Sequence, residues 1–137
     1  MAVVEELIRK ESDESISFGN HSLKEKAKKE DFECLGDIYK VKTYSTMTKL
    51  EKNGLFLYES VPGTSVTSLK ETADGMSFTV SGSDDAQITV GLAEDTEYNV
   101  SVGGADFGRM KTNMGGKLVF SVELTEGNDQ KVDITKA

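Results

Sequence analysis

The strongest constraint in this chain is alternation. Short runs of period-two apolar and polar residues are separated by turn-forming dipeptides, a pattern that specifies half-buried strands joined by tight turns. Ile16 and Phe18 alternate with serines and stop at Gly19-Asn20, and Ile38-Tyr-Lys-Val41-Lys-Thr43 alternates in the same way. Residues 47–52 run into Asn53-Gly54 and on into 55–61. Asn-Gly is the strongest short hairpin signal, because both positions tolerate the positive φ of a type I′ turn. The same reasoning predicts a hairpin at Asp74-Gly75 and turns at Gly103-Gly104, Gly115-Gly116 and Gly127-Asn128-Asp129. Strands are expected at 66–69, 76–80, 87–90, 97–102, 108–112, 117–124 and 131–135. Turns recurring every ~8–12 residues describe an all-β fold of many short antiparallel strands.

Two segments fit that scheme less directly. Residues 2–10 admit a short helix with Val3, Val4, Leu7 and Ile8 on one face, or a strand with Val4, Glu6 and Ile8 on one side. The strand is preferred, since 11–15 then makes a turn into 16–18. Residues 23–31 are rich in helix formers but have only Leu23 and Ala27 as apolar positions. A helix without an apolar stripe gains little from packing, and a charged edge strand guarded by its lysines suits the segment equally well.

The sole proline, in Val61-Pro62-Gly63, marks the expected boundary between a smaller N-terminal β-rich region, 1–61, and a C-terminal unit, 62–137, packed against each other. Charge divides at nearly the same place: residues 1–60 hold 12 acids and 10 bases, residues 61–137 hold 12 acids and 6 bases. Head-to-tail association could use that asymmetry, and solvated surfaces account for it as well.

Composition narrows the chemistry. One cysteine cannot form an internal disulfide, and one cysteine with one histidine cannot close a Cys/His zinc site. A net charge of −8 argues against nucleic-acid partners. Apolar runs are too short for a membrane span, and the first ten residues lack the continuous apolar stretch of a secretory signal, so a cytoplasmic location is expected. No cofactor is expected. His21, within Gly19-Asn20-His21-Ser22, reads as an exposed turn residue. Cys34 has acidic neighbours that disfavour a reactive thiolate, and is assigned to the core. Asp84-Asp85 and Glu94-Asp95 lack the spaced carboxylates of a calcium loop and read as solvent-facing. Tyr39, Tyr44 and Tyr58 remain as aromatic candidates for contact with a glycan or a partner, core or edge packing being the alternative.

Leu92-Ala-Glu-Asp-Thr96-Glu-Tyr98-Asn-Val100-Ser-Val102 resembles the corner of a fibronectin type III or immunoglobulin-like β-sandwich. The resemblance covers 62–137 and implies that Tyr98 packs inward with its hydroxyl bonded to upstream backbone. It also implies that Leu118, Phe120, Val122 and Leu124 point inward from a hairpin spanning 108–124. The chain departs from the family in its Ala-Glu-Asp turn, where Pro and Gly are usual, and in having no Trp.

Taken whole, the sequence is similar to short proteins of clostridial gut bacteria that often carry the label endosialidase. The similarity rests on Ile16-Ser-Phe18-Gly19, 36–43, 48–54, Tyr58-Glu-Ser-Val-Pro-Gly63 and 110–118. That label implies hydrolysis of a sialic-acid polymer. Sialidases, however, grip the substrate carboxylate with three arginines, and this chain has only Arg9 and Arg109. The expected function is therefore non-catalytic: a β-protein acting by association as a structural or assembly module, self-associating into a homo-oligomer. A glycan-binding module is the alternative, and the hydrolase ranks last.

Overall fold

The computed structural model describes residues 3–137, so Ala2 of the expected 2–10 strand lies outside the described residues. In chain order the strands are β1 (Ile8–Lys10), β2 (Ile16–Phe18), β3 (Ala27–Cys34), β4 (Asp37–Thr43), β5 (Thr48–Lys52), β6 (Leu55–Val61) and β7 (Ser65–Thr72). They continue with β8 (Gly75–Ser81), β9 (Ala86–Gly91), β10 (Glu97–Val102), β11 (Ala105–Lys111), β12 (Lys117–Val122) and β13 (Gln130–Lys136). The fold is all-β. A seven-stranded sheet runs β1-β2-β7-β8-β13-β10-β11, and a six-stranded sheet runs β12-β9-β6-β5-β4-β3. Every paired strand is antiparallel.

Alternation explains the core. In β12 the even residues Leu118, Phe120 and Val122 are buried while Lys117, Val119 and Ser121 are exposed, as one face of a pleated strand requires. The same rule brings Phe18, Val66, Phe78 and Val132 of the seven-stranded sheet into one apolar cluster with Val41, Leu50, Ile88 and Phe120 of the six-stranded sheet. Each such side chain contributes about 1.5–3 kcal/mol when fully buried. Tyr58 lies at the centre, with the Phe18 ring 5.2 Å away at 77° and the Phe78 ring 5.6 Å away at 89°. Both are edge-on contacts of the kind aromatic quadrupoles favour.

Several expectations are corrected. The 2–10 strand shrinks to β1, because Leu7 takes a φ of 72° and residues 5–6 form a turn. The 108–124 segment is not a hairpin: β11 belongs to the seven-stranded sheet and β12 to the six-stranded one, so Gly115-Gly116 lies in a crossing between sheets. Pro62 likewise sits where the chain passes from β6 in one sheet to β7 in the other. Strands from both sides of that proline are hydrogen-bonded within each sheet, β2 to β7 and β6 to β9. Both segments contribute strands to both sheets, and their buried residues belong to one core cluster.

A buried polar chain secures the Pro62 crossing. Thr64 Oγ1 lies 2.7 Å from both Tyr58 Oη and Ser60 Oγ. Thr48 Oγ1 donates to the Thr64 carbonyl at 2.7 Å and lies 2.8 Å from Thr43 Oγ1. At the other bend, buried Tyr98 accepts a hydrogen bond from the Ala93 N–H at 3.1 Å. Thr112 Oγ1 donates to the Ala93 carbonyl at 2.7 Å.

Candidate functional site

The aromatic candidates are not brought together as a ligand face. Tyr58 is fully buried between two phenylalanines, and burial pushes its hydroxyl well above the ordinary tyrosine range. Tyr39 is buried on β4, and desolvation raises its pKa as well. Tyr44 is half-buried, with the Lys26 ammonium 5.8 Å from its ring centre. Tyr58 therefore offers no ring face to a sugar.

Near Tyr39, Lys52 joins two carboxylates: Nζ is 2.6 Å from Glu71 Oε2 and 3.6 Å from Asp37 Oδ2. The Glu71 contact raises the Lys52 pKa, so the ammonium is held charged and is unsuited to act as a base or a nucleophile. A cavity of about 240 Å³ opens there, lined by Cys34, Asp37, Tyr39, Lys52 and Glu71. Its one ammonium near Tyr39 is already engaged by the Glu71 and Asp37 carboxylates.

His21 corrects the sequence expectation of an exposed turn. Only 5% of it is exposed, and its Nδ1 lies 2.7 Å from Ser65 Oγ. The Ser65 oxygen also accepts from the His21 backbone N–H at 3.3 Å. Its own proton is then available for Nδ1, which leaves the ring proton on Nε2, a buried atom without a hydrogen-bond partner. Desolvation lowers the His21 pKa, partly opposed by Glu126 and Asp129. Ser65 is completely buried, so this pair has no access to a substrate.

The two arginines lie on β1 and β11, at opposite edges of the seven-stranded sheet. Six strand spacings separate them, about 29 Å. Each is held by local glutamates, Arg9 by Glu6 and Glu11, and Arg109 by Glu97.

What the fold leaves open is strand edge. A sheet edge presents unpaired N–H and C=O groups, and proteins blunt such edges with brevity, charge or bulges. Three of the four edges here are blunted. β1 is three residues long. β3 places exposed Lys28, Lys29, Glu30 and Asp31 in a row, with a register break between Lys29 and Phe32 and Asp31 at a φ of 58°. β11 carries Asp106, Arg109 and Lys111, and its pairing with β10 breaks register at Val100/Ser101.

Among the described residues, β12 carries such a device only in Lys117 at its start; Leu118–Val122 has neither charge nor register break. No strand of the described residues pairs with β12 on the side away from β9. Its register with β9 is unbroken, and the ladder extends to a hydrogen bond from the Leu92 N–H to the Gly116 carbonyl at 2.7 Å. Antiparallel pairs alternate between bonded and non-bonded. Leu118, Phe120 and Val122 are therefore the residues bonded to β9, while Lys117, Val119 and Ser121 aim their backbone groups outward. Lys117 is already satisfied: its N–H donates to Asn113 Oδ1 and its carbonyl accepts from the Asn113 N–H, both at 3.0 Å. Beyond the strand, the Glu123 carbonyl accepts from Gln130 Nε2 at 3.4 Å. The open window is thus the N–H and C=O of Val119 and Ser121. Phe107 of β11, 45% exposed, lies beside it across a cleft of about 470 Å³ that Val102, Ala105 and Val122 also line.

Sequence reasoning did not single out Val119 or Ser121. The uncharged run Leu118–Val122 was visible, but which strand lies at an edge depends on strand order. Comparison with protein-family models, with curated proteins and with solved structures finds no match.

Proposed function

We propose that this protein is a non-catalytic module that acts by association, using the β12 edge to extend its six-stranded sheet. The observation that carries this reading is the contrast between edges: three are blunted, while β12 is unbroken in register, uncharged between residues 118 and 122, and without a strand on its outer side among the described residues. Adding a strand to such an edge gives main-chain hydrogen bonds with few side-chain demands. The separation of Arg9 from Arg109 supports association over sialic-acid hydrolysis, since no arginine cluster can form within one chain. The two-sheet arrangement and the Tyr98–Ala93 bond support reading 62–137 as fibronectin III-like strands.

The test is sedimentation equilibrium of the full chain across micromolar concentrations, for the native protein and Val119→Pro. The Val119 N–H points away from β9, so proline there removes an edge donor without removing a ladder bond. The native protein is expected to show a mass that rises with concentration. Val119→Pro is expected to stay monomeric while unfolding at nearly the native urea midpoint. A native protein that stays monomeric throughout and gains no mass with an added extended peptide would overturn the reading.

A further inference from the structure

We infer that the occupant of the β12 edge is a second copy of this chain, paired antiparallel about a two-fold axis through Phe120. The inference rests on the association reading and adds the partner and the register.

Only odd-numbered residues of β12 aim backbone groups outward, so a symmetric antiparallel pairing must set odd against odd. Three registers keep the open window in play. In the first, Val119 faces Val119 of the second copy and Ser121 faces Lys117, whose backbone groups are already bound to Asn113. In the second, Ser121 faces Ser121 and Val119 faces Glu123, whose carbonyl is already bound to Gln130. In the third, Val119 faces Ser121 and Ser121 faces Val119. This register alone satisfies all four open groups of each copy, through four inter-chain hydrogen bonds, and it places Phe120 opposite Phe120.

Side-chain charge agrees independently. Residues whose numbers sum to 240 face each other in the third register, so Lys117 lies opposite Glu123 of the second copy, twice over by symmetry. Both are exposed, on the same outer face as Val119. Lys117 now lies over the Phe56 ring, 4.7 Å from its centre, and swings outward to meet the carboxylate. Asn113 and Gln130 occupy outer backbone groups of Lys117 and Glu123, so contact at those two positions is by side chains. Val119, 46% exposed, and Phe107 add apolar area beside the backbone bonds. The edge is thus self-complementary in hydrogen bonds and in charge, as a two-fold interface requires. Its small size makes the pairing concentration-dependent.

The test compares Lys117→Glu, Glu123→Lys and the double swap in full-length protein by sedimentation equilibrium at low ionic strength. Each single reversal sets like charges opposite each other at two places and is expected to weaken dimerisation about tenfold or more. The double swap restores opposite charges and is expected to recover near-native dimerisation. Self-association that ignores all three changes, or single and double variants that weaken alike, would overturn the two-fold register while leaving association by this chain intact. A native protein that is monomeric alone but gains mass with an extended peptide would show a heterologous strand at this edge and overturn the second-copy assignment.

Discussion

At the residue scale, His21 is the most informative departure from local sequence. Gly, Asn and Ser around it are turn formers, and locally they do make a turn. The surrounding fold buries that turn, because Asn20 N–H donates to Thr43 Oγ1 at 2.9 Å and His21 reaches Ser65, 44 positions away. Long-range hydrogen bonds of this kind leave no trace in a window of neighbours. Burial keeps the folded-state pKa of His21 below its ordinary 6.5, against the smaller pull of Glu126 and Asp129. The unfolded chain therefore binds a proton that the folded chain resists, and stability is lost as pH falls through about 6.5. Glu11, held below the usual carboxylate range chiefly by the Ser17 hydroxyl, acts only at lower pH. The urea midpoint should fall between about pH 7 and about pH 5. In His21→Gln that slope should flatten, and an unchanged slope would remove His21 as its source.

At the scale of elements, hairpins were legible and crossings were not. β5–β6, β7–β8 and β10–β11 all follow from a turn dipeptide between alternating runs. The charged segment after Leu23 forms β3 at an edge, as its lysines suggest. β11 and β12 look like another such pair, with Gly115-Gly116 between them, yet they lie in different sheets. Turn chemistry fixes a change of direction, and the sheet each strand joins is fixed by its buried face. Pro62 is a related case. It punctuates the chain as expected, but the break it makes is a passage between sheets, secured by Thr64. Because Thr64 Oγ1 serves both Tyr58 and Ser60, Thr64→Val leaves two buried hydroxyls short of a partner. We expect a loss of about 1–3 kcal/mol by chemical denaturation. Tyr58→Phe, which leaves the Ser60–Thr64 bond in place, should cost less, and equal costs would show that the network is not centred on Thr64.

At the scale of the molecule, the all-β class and most strand positions were readable because alternation is a local signal. The open edge was not, since it emerges only when strand order places β12 last in its sheet. Scarcity of arginine takes on a spatial meaning at this scale, with Arg9 and Arg109 on opposite edges of one sheet. The N-terminal strands β3, β4, β5 and β6 supply most of the six-stranded sheet, and β9 and β12 complete it.

The most direct measurement of the proposed association is amide hydrogen exchange, resolved by residue, at low and high protein concentration. The Val119 and Ser121 amides should exchange rapidly in dilute solution and become protected as concentration rises. The Lys117 amide, already bonded to Asn113, should change little. Val119 and Ser121 exchanging at the same fast rate at every concentration, in a sample whose mass has risen, would place the contact elsewhere and contradict the account.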